Sequence, residues 1–473
     1  MGPRAVTPMG RPFRRPGRRF AAALVVVVGG ASILGVGFVR GMGIGAAAGP
    51  PSASASGAIA VASRPVTPEP IGSAQTGGSP TPSTPSTSST PPGSSPPGTS
   101  PPPSVTPQTR ATLAGPALQS ELDRVRRKLG IPGVSVTIVF EDGSAWTGVS
   151  GLADVATGTP VAPDTAFAIA SVSKTFTSAL ILQLVDEGRL HLGDSAASLL
   201  PAVPLKLDRR ITVAMLLDHT SGLADYFLNP KIDGPLQKRP TVAWSAADAL
   251  AYVRKPLSPP GKAWHYSNTN YLLLGLIAEQ VTGTPYAELI RSRLLEPTGL
   301  GATWVQIGET ARTSLAHGYR LPGTKITVKP VDLADGSGVA PFRSVVTAAG
   351  AAGSIAATSG DLAAWGRALY SGRVLGPAGT SNLLSGFTKA TSYLPGVAYG
   401  YGIQSLSIDG HASLGHSGRL LGFRSAVRHF PLDGITIAVL TNQSRADPAV
   451  IVRRLLARAL PVIRTCALCR GVD

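Results

Sequence analysis

Ala168-Ile169-Ala170-Ser171-Val172-Ser173-Lys174-Thr175-Phe176-Thr177 opens an apolar run that continues through Ala179, Leu180, Leu182, Leu184 and Val185. The spacing predicts a helix, and Gly188 its stop. Ser171 and Lys174, three residues apart, share one helical face. A lysine buried beside its own helix start finds the ammonium form costly, which pushes the amine toward a usable base. Ser171, near the positive helix end, could then lose its proton and attack a carbonyl. Taken alone, the same four residues also describe a capping serine and a solvated lysine, so the rest of the chain has to decide.

Upstream, Leu118, Leu122, Val125 and Leu129 mark an amphipathic helix closed by Gly130. Val134–Phe140 alternates as a strand, Asp142-Gly143 supplies a hairpin turn, and Ser144–Val149 returns. Downstream, helical character is clearest near Ala246–Val253, Tyr271–Val281 and Tyr286–Leu294. Strands come back at His411–Leu414, His416–Leu420, Ser425–Phe430 and Ile435–Leu440, before a last helix Pro448–Leu460. Strands at both ends of the sequence imply one sheet completed by the C-terminal half. The fold class expected is α+β: an antiparallel sheet flanked by N- and C-terminal helices, with an inserted, mostly helical subdomain.

Two further stretches bear on Ser171. Trp264-His265-Tyr266-Ser267-Asn268 leads into the helix at Tyr271, placing a phenol and an amide where both can face a cleft. Gly415-His416-Ser417-Gly418-Arg419 lies on an expected strand, whose glycines let a substrate backbone approach. His416 there can supply a proton or a donor for a carboxylate.

In order and spacing, these stretches resemble the serine β-lactamase and penicillin-binding-protein superfamily. The branch they are most similar to is that of class C β-lactamases, D-Ala-D-Ala carboxypeptidases and related esterases, serine peptidase family S12. Leu216-Leu217-Asp218-His219-Thr220-Ser221-Gly222-Leu223, Tyr271 with Leu274-Gly275, Ala316-His317-Gly318-Tyr319 and Tyr399-Gly400-Tyr401-Gly402 add to the likeness, which spans about residues 113–460. The resemblance implies that Ser171 forms an acyl-enzyme, Lys174 activates it and Tyr266 shuttles protons. It implies that Asn268 holds a substrate amide, and that the backbone N–H groups of Ser171 and Arg419 form the oxyanion hole. No metal or organic cofactor is implied.

One departure bears on substrate. Many relatives carry Lys-Thr-Gly where this chain has His416-Ser417-Gly418. A lysine anchors a carboxylate at any physiological pH, whereas His416 does so only when protonated. Arg419 or Arg424 could help. The expectation is therefore an exported D-alanyl-D-alanine carboxypeptidase-like peptidase or an esterase, acting on a small peptide, amide or ester, peptidoglycan stem peptides among them. The alternatives are a class C-like β-lactamase and, from another class, a penicillin-binding sensor or wall-docking module with little turnover.

The remainder concerns location. Of the formal charge of +17 over 473 residues, the first 110 carry nine arginines, no lysine and one acid. Much of the basicity, +8 of the +17, is thus an N-terminal address rather than a nucleic-acid surface. Phe20–Val39 is an uncharged apolar stretch behind six arginines, long enough as a helix to cross about 30 Å of hydrocarbon. Residues 1–45 read as an arginine-rich cytoplasmic tail with a transmembrane anchor, or as a signal peptide cut near Ala46-Ala47-Ala48. Residues 46–112 are a Pro/Ser/Thr-rich linker that cannot bury a core. The hydrolase domain is expected at 113–462 and a tail with Cys466 and Cys469, read as a small disulfide, at 463–473. The expected location is extracytoplasmic, tethered to the membrane, or secreted after cleavage.

Other chemistries find no support. The remaining histidines (His191, His219, His265, His317, His411, His429) lack metal-ligand spacing, and no zinc site is expected. His219 and His317 are expected to serve as hydrogen-bonding groups in their loops. There is no Gly-x-Ser-x-Gly in a strand–turn–helix setting and no phosphate-binding Gly-x-x-x-x-Gly-Lys.

Overall fold

Thr109 starts the folded chain: its hydroxyl caps a helix α1, Arg110–Leu129, which Gly130 ends in the left-handed conformation. The computed structural model describes residues 109–321, 329–390, 393 and 395–467, without the side chains of residues 389 and 464–467. The apolar stretch Phe20–Val39, the linker up to residue 108 and the Cys466/Cys469 pairing lie outside that description; residues 109–112, expected in the linker, instead cap and begin α1. Among the described residues no helix is long and apolar enough to cross a membrane.

After α1 come the strands β1 (Gly133–Val139), β2 (Ala145–Asp154) and β3 (Thr159–Pro160). The hairpin at Asp142-Gly143 forms as its turn chemistry predicts, with Gly143 at φ 82°. The C-terminal half supplies β4 (Thr388–Lys389), β5 (Ala398–Tyr399), β6 (Gln404–Ile408), β7 (His411–Leu420), β8 (Phe423–Phe430) and β9 (Ile435–Thr441). These nine strands form one sheet in the order β3-β2-β1-β9-β8-β7-β6-β5-β4, its recorded pairings antiparallel. First and last strands of the sequence meet inside the sheet, third and fourth in that order, with Val134 opposite Thr441 and Val139 opposite Thr436. This closure makes the two ends of the domain depend on each other.

Alternation divides the side chains between two cores. One face, with Val134, Val136, Ile437 and Val439, buries Leu118 and Leu122 of α1 and Ile451 and Leu455 of the last helix, α5 (Pro448–Ala467). The other face packs on α2 (Ser173–Asp186) and α4 (Ser359–Tyr370). Phe176 stacks on Trp365 at 3.9 Å, and the indole N–H donates to Thr175 Oγ1 at 2.9 Å. Burying either ring contributes on the order of 2–3 kcal/mol. Helix α3, Asn268–Thr282, is buried along most of its length against α2 and anchors the helical subdomain.

Several elements differ from the sequence expectation. The helix near Ala246 stops at Leu250, and the one from Tyr286 passes at Arg291 into a wider π turn ending at Leu295. Helix α5 runs through Pro461 rather than stopping before it, although an interior proline removes one helical N–H and crowds the carbonyl a turn earlier. Helix α4 is not singled out by sequence, its pattern being diluted by Gly360 and Gly366. Strands β4 and β5, two residues each, are too short to show a period.

Candidate active site

The nucleophile candidate stands on a strained turn. Ala170 has φ 51°, and Ser171 follows on a single 3₁₀ turn that feeds directly into α2. His219, at φ 67° in the loop that meets Tyr266, is a second such residue. Positive φ outside glycine costs of order 1–3 kcal/mol and persists only where packing imposes it. Here Ser425 Oγ donates to the Ile169 carbonyl at 2.6 Å and helps pin the turn to β8. Gly418 must be glycine: a Cβ there would lie 2.2 Å from the same carbonyl oxygen.

Lys174 is fully buried, with Nζ 3.2 Å from Ser171 Oγ, 2.8 Å from Asn268 Oδ1 and 2.7 Å from the Ala352 carbonyl oxygen. Burial lowers its amine to about 7, and the carboxylate of Asp225 opposes the shift. A neutral amine has two N–H bonds and one lone pair. Asn268 Oδ1 and the Ala352 carbonyl oxygen can only accept, so they take both N–H bonds and the lone pair is left facing the Ser171 hydroxyl. That is the geometry of a general base.

Tyr266 lies beside this pair. Lys174 Nζ sits 5.2 Å from its ring centroid, and its hydroxyl interacts electrostatically with Ser171 while making no hydrogen bond of good geometry. Burial and then the neighbouring Tyr393 hold the phenol well above its ordinary value, so it stays protonated. Tyr393 stacks on it at 4.9 Å, and His219 packs at 4.4 Å. His219, kept neutral by burial, accepts the Ser267 backbone N–H at Nδ1 (3.3 Å) just ahead of α3.

Asn268 does more than its motif suggests. While Oδ1 receives the lysine, Nδ2 donates to Asp225 Oδ2 at 2.8 Å. Asp225 is 2% exposed, and burial raises it to about 6 against the opposing Phe227 N–H, Lys174 and Asn268. Sequence reasoning stops at Leu223 and misses this acid. An aspartate amid Leu223-Ala224-Asp225-Tyr226-Phe227 was the available signal, since apolar neighbours promise burial and a buried acid needs partners. Asp225→Asn is expected to shift the acid limb of the rate profile to lower pH, because the carboxylate is what raises the lysine. Weakening of the clamp on Asn268, whose charged acceptor becomes a neutral amide oxygen, is expected to cost about tenfold in kcat. A pH profile of kcat for the two proteins measures both.

His416 has a different setting from the one its motif suggests. Its Nδ1 lies 2.7 Å from the Ser417 carbonyl, which can only accept, so Nδ1 carries the proton. Nε2 then accepts from the Tyr399 hydroxyl at 2.9 Å. Burial, then Lys174, push the ring well below its usual value. A neutral ring with both nitrogens engaged cannot anchor a carboxylate as an imidazolium; it positions Tyr399 instead.

Strand β7 offers an edge. Pairing with β6 ends at Gln404 opposite Gly415, so among the recorded pairings His416–Leu420 meet only β8. An extended substrate can add along that edge with its carbonyl toward Ser171. Gly418 faces Ile169 and Ala170, and the side chains of Ser417 and Arg419 alternate to the opposite face. Ser417 Oγ lies 3.3 Å from Gln404 Nε2.

Away from the site, the fold gathers Asp154, His317 and Asp332, which sequence spacing hides; their ligand-type atoms lie within 4.8 Å of one another. His317 Nδ1 is already paired with Asp332 at 2.8 Å.

Residues 118–460 match the family model described as Beta-lactamase. Penicillin-binding protein 4 of Amycolatopsis lactamdurans is 30% identical over 340 residues, which covers 68% of this chain and 84% of that relative. A D-stereospecific amidohydrolase from Streptomyces sp. superposes with a TM-score of 0.62 at 28% identity, over 71% of this chain and 97% of the other. D-amino acid amidase from Ochrobactrum anthropi SV3, solved with L-phenylalanine amide, gives 0.63 at 26% identity, over 74% and 99%.

Proposed function

The chain belongs to the beta-lactamase family, and from that premise we propose that it is an exported serine hydrolase acting on D-configured amides and peptides. Its activity on this reading is that of a D-alanyl-D-alanine carboxypeptidase-like peptidase, with esters as accessory substrates. The observation that carries the proposal is the buried Lys174, whose two acceptors leave its lone pair on Ser171. A module that only docks needs no such base.

The reaction runs in two halves. Lys174 takes the Ser171 proton as Oγ attacks the carbonyl, and the N–H groups of Ser171 and Arg419 receive the oxyanion, each contributing about 3 kcal/mol. Protonated Tyr266 donates to the leaving amine. Water then attacks the acyl-enzyme, its proton going to the Tyr266 phenolate, and Lys174 returns its proton to Ser171 Oγ as the ester bond breaks, which restores all three groups. Export rests on the arginine-flanked Phe20–Val39 stretch, which would place the domain outside the membrane, tethered or released. The D preference is supported by the two amidohydrolases named above.

A substrate panel on the full chain tests this. D-phenylalanine amide and a D-Ala-D-Ala peptide are expected to be cleaved at least ~10-fold faster in kcat/KM than their L counterparts and than a chromogenic cephalosporin. Cephalosporin as the best substrate would instead favour the class C-like β-lactamase. Stable labelling by penicillin without turnover of any member would favour the sensor.

A further inference from the structure

Where β2 ends, the sheet meets a short hairpin formed by Tyr319–Arg320 and Val331–Asp332. Three side chains of metal-ligating type converge there. Asp154 is the last residue of β2, His317 stands just ahead of the hairpin, and Asp332 closes it. The backbone around them is fixed from several sides. The His317 N–H donates to the Ala153 carbonyl, the Tyr319 N–H to that of Asn442 and the Leu333 N–H to that of Gly318, each at 3.0 Å. Strand β2 lies four places from β7 in the sheet order, and among the described residues no hydrogen bond or ion pair joins the cluster to Ser171, Lys174 or Tyr266.

His317 Nδ1 is 2.8 Å from Asp332 Oδ2 and 3.7 Å from Asp154 Oδ1. Donors held about 2.1 Å from a zinc ion at tetrahedral angles stand roughly 3.4 Å apart, between those two separations. Charge points the same way. One Nδ1–H directed at Asp332 leaves Asp154 facing the same nitrogen beyond hydrogen-bonding reach. Two carboxylates outweigh one imidazole in either protonation state of the ring. Among the described residues, the ion pairs of both acids are with His317 alone, in a chain whose formal charge is +17. Outer contacts orient the carboxylates, as they do for metal ligands. Asp154 accepts the Ala156 N–H at 2.8 Å and the Thr157 hydroxyl at 2.7 Å, and Asp332 Oδ1 accepts the Ala334 N–H at 2.9 Å. The Thr157 bond, above all, holds Asp154 below its ordinary value and therefore ionised. With 17%, 38% and 36% of the Asp154, His317 and Asp332 side chains exposed, an ion can enter from solvent.

We propose that Asp154, His317 and Asp332 bind a divalent transition-metal ion, zinc by the chemistry of the donors, through one imidazole nitrogen and two carboxylate oxygens. Calcium and magnesium prefer all-oxygen shells, whereas an imidazole with carboxylates suits zinc. The ion takes the place of the Nδ1 proton, which the neutral ring then carries on Nε2. Bound there, it ties the end of β2 to both ends of the hairpin. The hairpin in turn abuts the catalytic strand's turn: a Cβ on Gly422, between β7 and β8, would lie 2.7 Å from Gly318. The site is thus a structural clamp at the end of the catalytic strand.

The inference is independent of the acyl-enzyme reading and is tested without turnover. Full-length protein carrying Cys466→Ser and Cys469→Ser, which removes competing thiols, is stripped with a chelator. It is then titrated calorimetrically with zinc chloride and, separately, with magnesium chloride. One saturable zinc site is expected, at least ~10-fold tighter than any for magnesium, with a higher Tm at saturating zinc. His317→Ala and Asp332→Asn, each in that background, are expected to weaken zinc binding by ~10-fold or more and to lose the rise in Tm. Asp332→Asn keeps the shape of the hairpin and carries the comparison should His317→Ala lose its near-ultraviolet circular dichroism. Absence of a saturable zinc heat, a smaller margin over magnesium, or unchanged zinc affinity in the folded variants overturns the proposal.

Discussion

Ser171→Ala is expected to lower kcat/KM for the best D-amide substrate by about 10⁴–10⁶-fold, with Tm nearly unchanged. The hydroxyl is the atom that would become the acyl ester, and nothing adjacent replaces it: Ser173 Oγ receives the Ile355 N–H at 3.2 Å, and Ser178 Oγ bonds Tyr271 at 3.1 Å. Stability changes little because the lost bond to Lys174 is worth about 1 kcal/mol, partly offset by relief of a buried polar atom. Steady-state hydrolysis and a thermal melt of the same preparation provide the check. Residual activity within tenfold of wild type would remove Ser171 from the chemistry.

Lys174→Met is the second large effect, about 10²–10⁴-fold in kcat, the range of a positioned general base. Methionine keeps the apolar stem in its channel and removes only the amine. In the wild type, kcat/KM is expected to rise with pH through about 7, because the lysine must be neutral to accept a proton and burial lowers it to about that value. The variant should lose that limb. Stability carries the same signature. Between about 7 and the ordinary lysine value of about 10.4, the unfolded chain holds a proton that the folded one has released. Stability of the wild type therefore rises with pH across that window, and the slope should be absent in Lys174→Met. A retained limb near 7 in the variant would assign the base to another group.

What could be read from sequence was what is local. Ser171 and Lys174 meet because three residues on one helix always do, and the Asp142-Gly143 hairpin follows from turn chemistry. Tyr266 and Asn268 were legible as a pair because they precede an apolar helix whose start fixes them. The order of the nine strands was not, since pairing β1 with β9 depends on which buried faces find each other. Asp225 and the Ala352 carbonyl reach Lys174 from distant loops, and neither belongs to a local pattern. His416 shows the limit most clearly: its place in the motif was legible, but its partners, Tyr399 and the Ser417 carbonyl, are set by tertiary packing.

The central claim is a covalent one, that the acyl group passes through Ser171. Brief incubation of the full chain with fluorescent penicillin, acid quenching and peptide mapping by tandem mass spectrometry test it directly. One adduct, located on the peptide containing Ser171 and absent from Ser171→Ala, is the predicted result. An adduct on Ser173 or Ser178, or undiminished labelling of the alanine variant, would contradict it.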